Sequence, residues 1–234
     1  MSVLTLRDLR KDYGRVKALK GLNVTLRAGE LVAFIGPNGA GKSTTLKILT
    51  GQLPATDGHV EVAGVDVLKD PGEARRHIGY VPEEPALYDY MTAREFLEFV
   101  ASVREVDGVE EALAFTELGA DADRLIREYS QGMRRKTALA AAILAKPPVL
   151  ILDEALNGLD PPSAVRVKKR LRTLCDEGAC VLLSTHVLDT AERLADRVLM
   201  IHKGEIVADE ALDRTLGTDL EALFLERAGK ASDG

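Results

Sequence analysis

The strongest constraint on the fold of this chain is a short apolar run that leads directly into a glycine-rich loop. The apolar run covers residues 31–35, and the loop, Gly36–Ser43, has the sequence GPNGAGKS. Glycines allow the backbone N–H groups of such a loop to point inward and hold phosphate oxygens at the start of a helix. Residues 43–49 continue with helical spacing. The pattern therefore predicts a buried strand, a phosphate-binding loop and a helix.

Individual positions of this loop have distinct expected contacts with a nucleotide. Lys42 is expected to reach the β- and γ-phosphates, and the Ser43 hydroxyl is a suitable ligand for Mg²⁺. Thr44 lies one residue into the helix and is expected to add a hydrogen bond to phosphate. The other predicted contacts come from Asn38, Gly39 and Gly41. An ordinary glycine-rich turn is the alternative, but it rarely joins a Lys-Ser pair to a preceding strand and a following helix.

A second candidate cluster follows the apolar strand predicted over residues 149–152. Asp153 and Glu154 come directly after this strand. A phosphate-binding loop of this type needs one carboxylate to hold hydrated Mg²⁺ and one group to orient the attacking water. We therefore expect Asp153 to hold the metal and Glu154 to orient the attacking water. The alternative for two acids after a strand is a helix cap or a solvated turn.

An imidazole is expected at the same edge of the predicted sheet. Ser184, Thr185 and His186 follow an apolar strand over residues 181–183. Neighbouring parallel strands end at a common edge, where open α/β sheets bind their ligands. We expect His186 to sense the γ-phosphate there. The alternative for a lone histidine before a helix is a surface or capping residue.

Alternating and helical patterns divide the rest of the chain into α/β elements. Strand patterns lie at residues 3–6, 22–26, 60–62, 65–67, 78–81, 198–201 and 205–208. The early strands predict an antiparallel sheet, and the last pair predicts a closing hairpin. Helices over residues 163–174 and 188–195 alternate with strands, as βαβ units require. A last helix is expected over residues 219–227, followed by a frayed end over residues 230–234.

A helical insert is predicted between residues 85 and 145. Thr92 and Glu95 have the spacing of a capping box, so a helix is expected to begin there. One apolar face of this helix is predicted to consist of Phe96, Phe99, Val100 and Val103. The basic clusters at residues 134–136 and 168–170 are flanked by acids in predicted helices. We interpret both clusters as solvated helix faces rather than nucleic-acid contacts.

Composition limits the classes of protein to which the chain can belong. Its 234 residues are 46% hydrophobic, which suffices for one domain with a substantial core. The formal net charge of -6 argues against a surface for nucleic acid or anionic membranes. A lysine and two prolines interrupt the longest apolar stretch, residues 137–152, so no membrane span is predicted. Residues 1–11 lack an apolar leader and the cysteines are few, which favours a reducing, cytosolic setting in which Cys175 and Cys180 pack in the core.

Five short segments occur in a fixed order along the chain. They are Gly36–Ser43, Tyr129-Ser130-Gln131-Gly132-Met133, Leu152-Asp153-Glu154, Gly158-Leu159-Asp160 and His186. In this order they closely resemble the ATPases of ABC transporters, over nearly the whole chain. The resemblance implies ATP and Mg²⁺ as cofactors and an α/β fold: a P-loop NTPase core of mainly parallel sheet, an N-terminal antiparallel β subdomain and an inserted helical subdomain. It divides the single domain, residues 1–234, into a core at 1–84 and 146–210, a helical subdomain at 85–145 and a tail at 211–234.

The resemblance also implies that two subunits share each nucleotide. In that family the signature loop, here Tyr129–Met133, opens a helix that contacts the γ-phosphate held by the opposite subunit. By position, Ser130, Gln131 and Gly132 take this role. A helix N-terminus attracts anions, which agrees with the implied contact. An ordinary serine helix cap is the alternative for this segment in isolation.

Two further positions match residues of known role in the family. Tyr13 corresponds to the aromatic side chain that stacks on adenine, and stacking requires only the face of a ring. Its alternative is a packing residue of a β-strand. Asp160 corresponds to the aspartate that couples the two nucleotide sites, and its alternative is a cap for the helix that follows.

The chain departs from the common family pattern near the expected site. Glu83 stands where most relatives have glutamine; it retains an oxygen for Mg²⁺ or the water but adds negative charge near the phosphates. Gln131 and Met133 replace Gly and Gln in the signature, and residues 155–156 replace a common Pro-Thr pair. Glu83, the signature Tyr129–Met133 and the tail sequence over residues 220–225 together resemble the subgroup that serves exporters of the ABC-2 type.

The expected partners follow from the same resemblance. ATP is expected to close a pair of subunits, the second being another copy of this chain or a homologous ATPase subunit. A separate integral membrane transporter subunit is expected to contact the cargo and to hold the chain at the cytoplasmic face of the membrane. Residues 83–91 and the helical insert are expected to transmit movement to it. Nucleic acid is not an expected partner, and the alternative functions are a soluble ABC-type regulator of ribosomes or DNA and a P-loop small-molecule kinase.

Overall fold

Two β-sheets and a group of helices make up the chain in a computed structural model, which describes residues 1–213 and 219–230. The strands are β1 (Ser2–Tyr13), β2 (Val16–Arg27), β3 (Leu31–Ile35), β4 (Asp57–Val62), β5 (Val65–Asp66), β6 (Ile78–Val81), β7 (Val149–Asp153), β8 (Cys180–Ser184), β9 (Arg197–His202) and β10 (Glu205–Ala211). The helices are α1 (Lys42–Leu49), α2 (Pro71–Arg76), α3 (Ala93–Arg104), α4 (Val109–Thr116), α5 (Gln131–Leu144), α6 (Pro161–Asp176), α7 (Leu188–Leu194) and α8 (Leu220–Lys230). Short 3₁₀ helices, Gly119–Asp123 and Ile126–Glu128, lie between α4 and α5.

The N-terminal strands form an antiparallel sheet with the order β2-β1-β4-β5. A tight turn between Tyr13 and Val16 joins β1 to β2, and the two strands pair along most of their length. Alternate residues of β2 point into the core: Leu22, Val24 and Leu26. The hairpin predicted at residues 60–62 and 65–67 is present as β4 and β5. The predicted antiparallel sheet is therefore confirmed, and its first two strands are longer than their apolar patterns indicated.

The second sheet has the strand order β10-β9-β3-β8-β7-β6. The strands from β9 to β6 are parallel, and β10 joins β9 as an antiparallel edge. Every residue of β3, β7 and β8 is buried, which explains why these strands are nearly continuous apolar runs without alternation. The predicted α/β fold with a mainly parallel sheet is confirmed. Its parallel strands end at one common edge.

Helix α1 connects the two sheets through the core. Leu46 and Leu49 of α1 belong to one apolar cluster with Leu4 of β1 and Phe34 of β3. Fully burying each such side chain contributes about 1.5–3 kcal/mol. The same core therefore fixes the direction in which the glycine-rich loop enters its helix.

The helices α3, α4 and α5 lie within the range predicted for the helical insert and share a separate apolar cluster. The capping box at Thr92 is present, since its Oγ1 accepts from the Glu95 N–H at 3.1 Å and a Glu95 carboxylate oxygen accepts from the Thr92 N–H at 2.9 Å. The predicted apolar face of α3 is partly wrong. Phe99 and Val103 are 41% and 63% exposed. The buried face consists of Ala93, Phe96, Leu97 and Ala101, which follow the i, i+3, i+4, i+8 spacing of a helix.

The C-terminal part also follows its sequence pattern. β9 and β10 form the predicted closing hairpin, and α8 begins one residue after the start predicted at Asp219. The predicted frayed end falls mainly on residues 231–234, which lie outside the described residues. Cys175 and Cys180 are buried in the core, as expected. Among the described residues, the helices are too short or too polar to cross a lipid bilayer.

Candidate active site

Four parallel strands bring the predicted polar residues to one edge of the mixed sheet. Gly36 follows β3, Glu83 lies two residues after β6, Glu154 follows β7 and His186 lies two residues after β8. These four strands are neighbours in the sheet order β3-β8-β7-β6 and all run in the same direction. Segments that are far apart in the sequence therefore converge because the carboxyl ends of parallel strands coincide.

The glycine-rich loop has backbone geometry that only small residues allow. Gly41, the N-cap of α1, has φ 115°, a value that L side chains rarely adopt. A Cβ atom on Gly36 would lie 2.3 Å from the carbonyl oxygen of Ile201, so β9 leaves no room for a side chain there. The loop borders a cavity of about 230 Å³ lined by Ala18, Asn38, Gly39, Gly41, Lys42, Ser43 and Thr44. All six residues predicted to contact phosphate from this loop therefore share one cavity.

The ammonium group of Lys42 lies inside this loop. Its Nζ donates to the carbonyl oxygens of Gly36 at 2.5 Å and Pro37 at 3.2 Å. Burial lowers the pKa of Lys42, while the nearby carboxylates of Glu154, Asp153 and Glu83 act in the opposite direction. Lys42 thus shares one electrostatic environment with all three predicted acidic residues. An anion such as a phosphate would offset the cost of burying this cation.

Asp153 ends β7 in a buried position that suits a hard cation. Burial raises the pKa of Asp153, and the charges of Glu154 and Glu83 raise it further, whereas Ser184 and Lys42 favour its charged form. The buried Ser184 Oγ nevertheless makes no hydrogen bond of standard geometry with any described residue. An orphaned hydroxyl beside a desolvated carboxylate fits hydrated Mg²⁺, which prefers oxygen ligands.

The described residues contain no group of three or more His, Cys, Asp or Glu side chains that could hold a metal alone. This result also fits Mg²⁺, which proteins commonly bind through one or two carboxylates together with the phosphates of a nucleotide. The Ser43 hydroxyl at the start of α1 and the Asp153 carboxylate are oxygen donors of that kind. Metal binding here would therefore depend on the nucleotide.

Glu154 is held by three neighbours and has a strained backbone. Its φ is 49°, in the left-handed region, and its N–H donates to the Ser184 carbonyl oxygen at 3.0 Å. One carboxylate oxygen lies 2.9 Å from Nδ1 of His186, and the other accepts from Nδ2 of Asn157 at 2.9 Å. Glu154 is only 8% exposed. These contacts hold the Glu154 carboxylate at the edge of the mixed sheet from which the phosphate loop starts.

Asn157 is a site residue that sequence reasoning missed. Its side chain donates to Glu154, and its backbone N–H donates to the Glu154 carbonyl oxygen at 3.1 Å. The short spacing from Glu154 and the preference of asparagine for turns were the available signals. The positive φ of Glu154 was not readable from sequence, because L residues with such values are uncommon.

The predicted signature residues lie away from the phosphate cavity. Ser130 is exposed and caps α5, where its Oγ accepts from the Met133 N–H at 3.3 Å. Gln131 is exposed, and Gly132 lies in the first turn of α5. Among the described residues that line the cavity of the glycine-rich loop, none belongs to this segment. One chain therefore does not bring the two predicted phosphate-binding elements together.

The remaining predicted site residues, Tyr13, Asp160 and Glu83, lie at the surface or cap a helix. Tyr13 is 49% exposed, and the Lys11 ammonium lies 5.3 Å from the centre of its ring. Asp160 caps α6: its carboxylate accepts from the Ser163 N–H at 2.9 Å and from the Ser163 hydroxyl at 2.7 Å. These two hydrogen bonds lower the pKa of Asp160. Glu83 is exposed, so it can reach the edge of the site without a burial cost.

The interpretation of Arg134 and Arg135 as part of a solvated face is wrong. Arg134 donates to the Asp89 carboxylate at 2.7 Å and to the Ile126 carbonyl oxygen at 3.2 Å. Arg135 donates to the Glu83 carbonyl oxygen at 2.6 Å. Asp89 and Glu83 lie on the segment that follows β6, which is remote in sequence from α5, so only the tertiary structure reveals these two contacts.

Comparisons with known proteins show which sequences and structures the chain resembles. A family profile described as "ABC transporter" matches residues 19–157. The bacitracin transport ATP-binding protein BcrA of Bacillus licheniformis is 33% identical over 216 residues, covering 91% of this chain and 71% of the relative. The daunorubicin resistance ATP-binding protein DrrA2 of Streptomyces coeruleorubidus is 37% identical over 230 residues, covering 94% of this chain and 71% of the relative.

A solved structure extends the similarity to three dimensions. It is the dimeric, post-hydrolysis state of the ATP-binding cassette MJ0796 bound to ADP and Pi. The TM-score is 0.80 at 27% identity, and the match covers 90% of this chain and 99% of that chain. Such agreement over most of both chains extends beyond the glycine-rich loop to the whole arrangement of sheets and helices.

Proposed function

The chain belongs to the ABC transporter family and is an ATP-binding ATPase, and we propose that it powers a membrane exporter by closing as a dimer around two ATP molecules. The observation that carries the proposal is the convergence at one sheet edge of Lys42, Asp153 and Glu154, with His186 hydrogen-bonded to Glu154. Family membership decides against the small-molecule kinase alternative. The relatives named for transport and drug resistance favour a transporter over a soluble regulator of ribosomes or DNA.

Within the site, Glu154 orients the attacking water and accepts its proton as phosphate leaves. Its buried carboxylate is held by Asn157 and His186, which restrict it to a narrow range of directions. The His186 side chain is 65% exposed, so it can turn from Glu154 towards a γ-phosphate. Lys42 stabilises charge on the β- and γ-phosphates, exchanging its carbonyl acceptors for phosphate oxygens.

Mg²⁺ would be held by Ser43 and Asp153, and we assign Glu83 as a further oxygen donor. When bound, the ion neutralises charge on the phosphate oxygens during phosphoryl transfer. The electrostatic influence of Glu83 on both Lys42 and Asp153 supports its assignment to the same site. Asn38, Gly39, Gly41 and Thr44 hold the phosphates from the loop, and Tyr13 stacks on adenine.

The dimer supplies the contact between the signature residues and a γ-phosphate that one chain lacks. Ser130, Gln131 and Gly132 form an exposed helix N-terminus that attracts anions, and it lies outside the phosphate cavity of its own chain. We assign these residues to the γ-phosphate bound by the opposite subunit, which is a second copy or a homologous ATPase. Asp160, at the start of α6, then links the two sites across the interface.

The membrane subunit docks in a groove between the helical subdomain and the core. This cavity of about 480 Å³ has an apolar wall that includes Leu87, Phe96 and Val100. Arg75 and Arg104 line the same cavity and donate to backbone carbonyl oxygens, and neither forms an ion pair with a described residue. An apolar helix of the membrane subunit that carries a carboxylate matches this surface. It would place the ATPase at the cytoplasmic face of the membrane.

The first experiment replaces Glu154 with glutamine, which keeps the shape of the side chain and removes its charge. Steady-state phosphate release and ATP-dependent dimerisation, followed by light scattering in Mg-ATP, are compared with the unaltered chain. We expect phosphate release to fall at least 100-fold, because the water loses its base, while an ATP-bound dimer accumulates. The matched control is Glu205→Gln, an exposed carboxylate of β10, which should leave both readouts unchanged.

Either of two results would contradict the mechanism. Retained hydrolysis by the Glu154→Gln chain would remove Glu154 from the reaction. A chain that binds ATP but never dimerises would remove the shared site.

The docking groove has its own test. A photo-reactive residue at position 100 should crosslink, in membranes of the native cell, to an integral membrane protein identified by mass spectrometry as a transporter subunit. Arg104→Glu should suppress this adduct, because the partner's carboxylate would meet a like charge. The same probe at Val165, an exposed position on α6, is the control. Equal adducts from both positions, or an adduct unaffected by Arg104→Glu, would refute docking in this groove.

A further inference from the structure

Two consecutive arginines of α5 hold both ends of one loop segment. The segment, residues 83–89, begins after β6 and forms part of the wall of the docking groove. Arg135 donates to the carbonyl oxygen at its start, on Glu83, at 2.6 Å. Arg134 donates to the carboxylate at its end, on Asp89, at 2.7 Å. Both arginines lie in the first two turns of the helix that Ser130 caps.

Arg135 also packs against the turn that follows Glu154. A Cβ atom on Gly158 would lie 3.5 Å from Nη1 of Arg135, and one on Gly132 would lie 3.4 Å from the Gly158 carbonyl oxygen. This turn contains Asn157, which holds the Glu154 carboxylate. The guanidinium of Arg135 therefore lies where three segments meet: the loop after β6, the start of α5 and the turn after β7.

The surroundings of Arg135 do not explain it as a simple ion pair. It forms no salt bridge with a described residue, and its Nε is buried without a hydrogen-bond partner. A buried donor without a partner costs about 1–3 kcal/mol, so a methionine of similar length would avoid this cost if packing were the only role. The planar fork of arginine can donate to one segment and pack on another at the same time.

We propose that Arg135 is a positioning residue that ties the signature end of α5 to the Glu83 loop and to the turn carrying Asn157, with the Arg134–Asp89 ion pair as a second tie. Movement of the segment 83–89 then shifts Ser130 and Gly132 as one body with it. The link joins the docking groove to the partner's nucleotide without passing through the phosphate loop. Because this role concerns a nucleotide bound by the opposite subunit, it rests on the proposed dimer.

The test uses the full chain in the Glu154→Gln background, with Arg135→Met and Arg135→Lys. ATP affinity of the monomer is measured at low protein concentration with a fluorescent ATP analogue, and dimerisation by light scattering in Mg-ATP. We expect Arg135→Met to weaken ATP-dependent dimerisation about tenfold, which corresponds to about 1.4 kcal/mol. Monomer affinity should change less than about twofold, since Arg135 lies outside the phosphate cavity. Arg135→Lys should recover part of the loss, because one donor can still reach the Glu83 carbonyl.

The second tie is tested by Arg134→Met, Asp89→Asn and their double variant. Each single change should weaken dimerisation by a smaller factor than Arg135→Met, and Arg134→Met should lose at least as much as Asp89→Asn because it also removes the bond to the Ile126 carbonyl. The double variant should lose no more than Arg134→Met alone, because the two changes share the broken ion pair. Arg27→Met is the matched control, since the Arg27 side chain is exposed and its pair with Glu30 lies just before β3, at the end of the sheet opposite the phosphate loop.

Each outcome decides between distinct causes. A parent Glu154→Gln chain that stays monomeric in ATP overturns the proposed dimer, and the role of Arg135 with it. A parent that dimerises while Arg135→Met dimerises equally well overturns the role of Arg135 alone. Parallel losses of melting temperature, monomer ATP affinity and dimerisation would identify Arg135 as a merely structural residue, and so would overturn the proposal too.

Discussion

The phosphate-loop edge and the signature end of α5 are both proposed to bind phosphate, but they are built in opposite ways. Lys42, Asp153 and Glu154 are 8%, 6% and 8% exposed. Asp153 and Glu154 lie at the end of the buried strand β7, and Lys42 begins α1 after the loop that follows β3. Ser130 and Gln131 are exposed at a helix start. The first region is complete within one chain, whereas the second presents only a helix N-terminus to its surroundings.

This difference shows how one fold can bind a nucleotide in one region and recognise a partner subunit's nucleotide with another. A site on buried strands keeps its geometry because moving it would disturb the whole core. The start of α5 lies beyond these buried strands: Tyr129 and Met133 pack in the cluster of the helical insert, and α5 joins the core of the mixed sheet only from Ala138 onward. In the proposed mechanism, nucleotide binding and partner recognition depend on separate parts of the chain, so variants in the two regions should fail in different assays.

The largest effect is expected at the phosphate-loop edge. Lys42→Ala removes the only cation within the cavity of the described loop, so the affinity for ATP should fall at least about 100-fold, in line with about 3 kcal/mol for a charge-assisted hydrogen bond. Isothermal titration with Mg-ATP measures this loss. Because burial lowers the pKa of Lys42, its removal should leave the melting temperature equal or higher. ATP affinity within threefold of the unaltered chain would contradict the assigned role.

A variant at the signature end should separate partner recognition from ATP binding. Gly132→Asp places a carboxylate at the start of α5, where it should repel the partner's γ-phosphate and weaken ATP-dependent dimerisation about 100-fold, or about 2.7 kcal/mol. ATP affinity of the monomer should stay unchanged. Gly132→Ala is the control, since its Cβ would meet the Gly158 carbonyl oxygen at 3.4 Å and requires only a small shift. If both variants lost monomer affinity, the two regions would not be independent.

A smaller effect is expected where the adenine is assigned. Tyr13→Ala should lower ATP affinity about tenfold, because stacking contributes on the order of 1 kcal/mol beyond the buried area. Tyr13→Phe keeps the ring and should stay within twofold of the unaltered chain. Competition by AMP and by inorganic triphosphate separates contacts to the base from contacts to the phosphates. Tyr13→Ala should weaken the binding of AMP, which contains the base, and leave the binding of triphosphate unchanged. Equal losses for both ligands would show that Tyr13 acts through the loop instead.

The smallest effect is expected in the core at the end of the mixed sheet opposite the phosphate loop, where Cys180 begins β8. Burial raises the pKa of Cys175 to about 11 and that of Cys180 to about 12, so at pH 8 both thiols stay protonated and covered. Alkylation followed by mass spectrometry should find neither thiol modified in the native chain, with or without Mg-ATP. Both should react in denaturing urea. Alkylation of either thiol that increases with Mg-ATP would show that the core around Cys175 and Cys180 becomes exposed during the ATPase cycle.

Several elements of the site could be predicted because they depend on local chemistry. The run from β3 through the glycine-rich loop into α1 is specified by consecutive residues, and so is the capping box at Thr92. The apolar face of α3 was harder to predict. Phe99 and Val103 fit a helical pattern but lie on the side that the neighbouring helices leave exposed. Periodicity indicates possible buried faces, and packing selects among them.

The sequence by itself determined the phosphate-binding loop, the strand ends that carry Asp153, Glu154 and His186, and the order of α and β elements, because these follow from neighbouring residues. Only the tertiary structure decided the hold of Asn157 on Glu154 and the ties from Arg134 and Arg135 to the loop after β6. A side-chain hydrogen bond depends on distance and direction in space. No local pattern specifies which of many distant carbonyl or carboxylate oxygens will lie within 3 Å of a guanidinium until the core has packed.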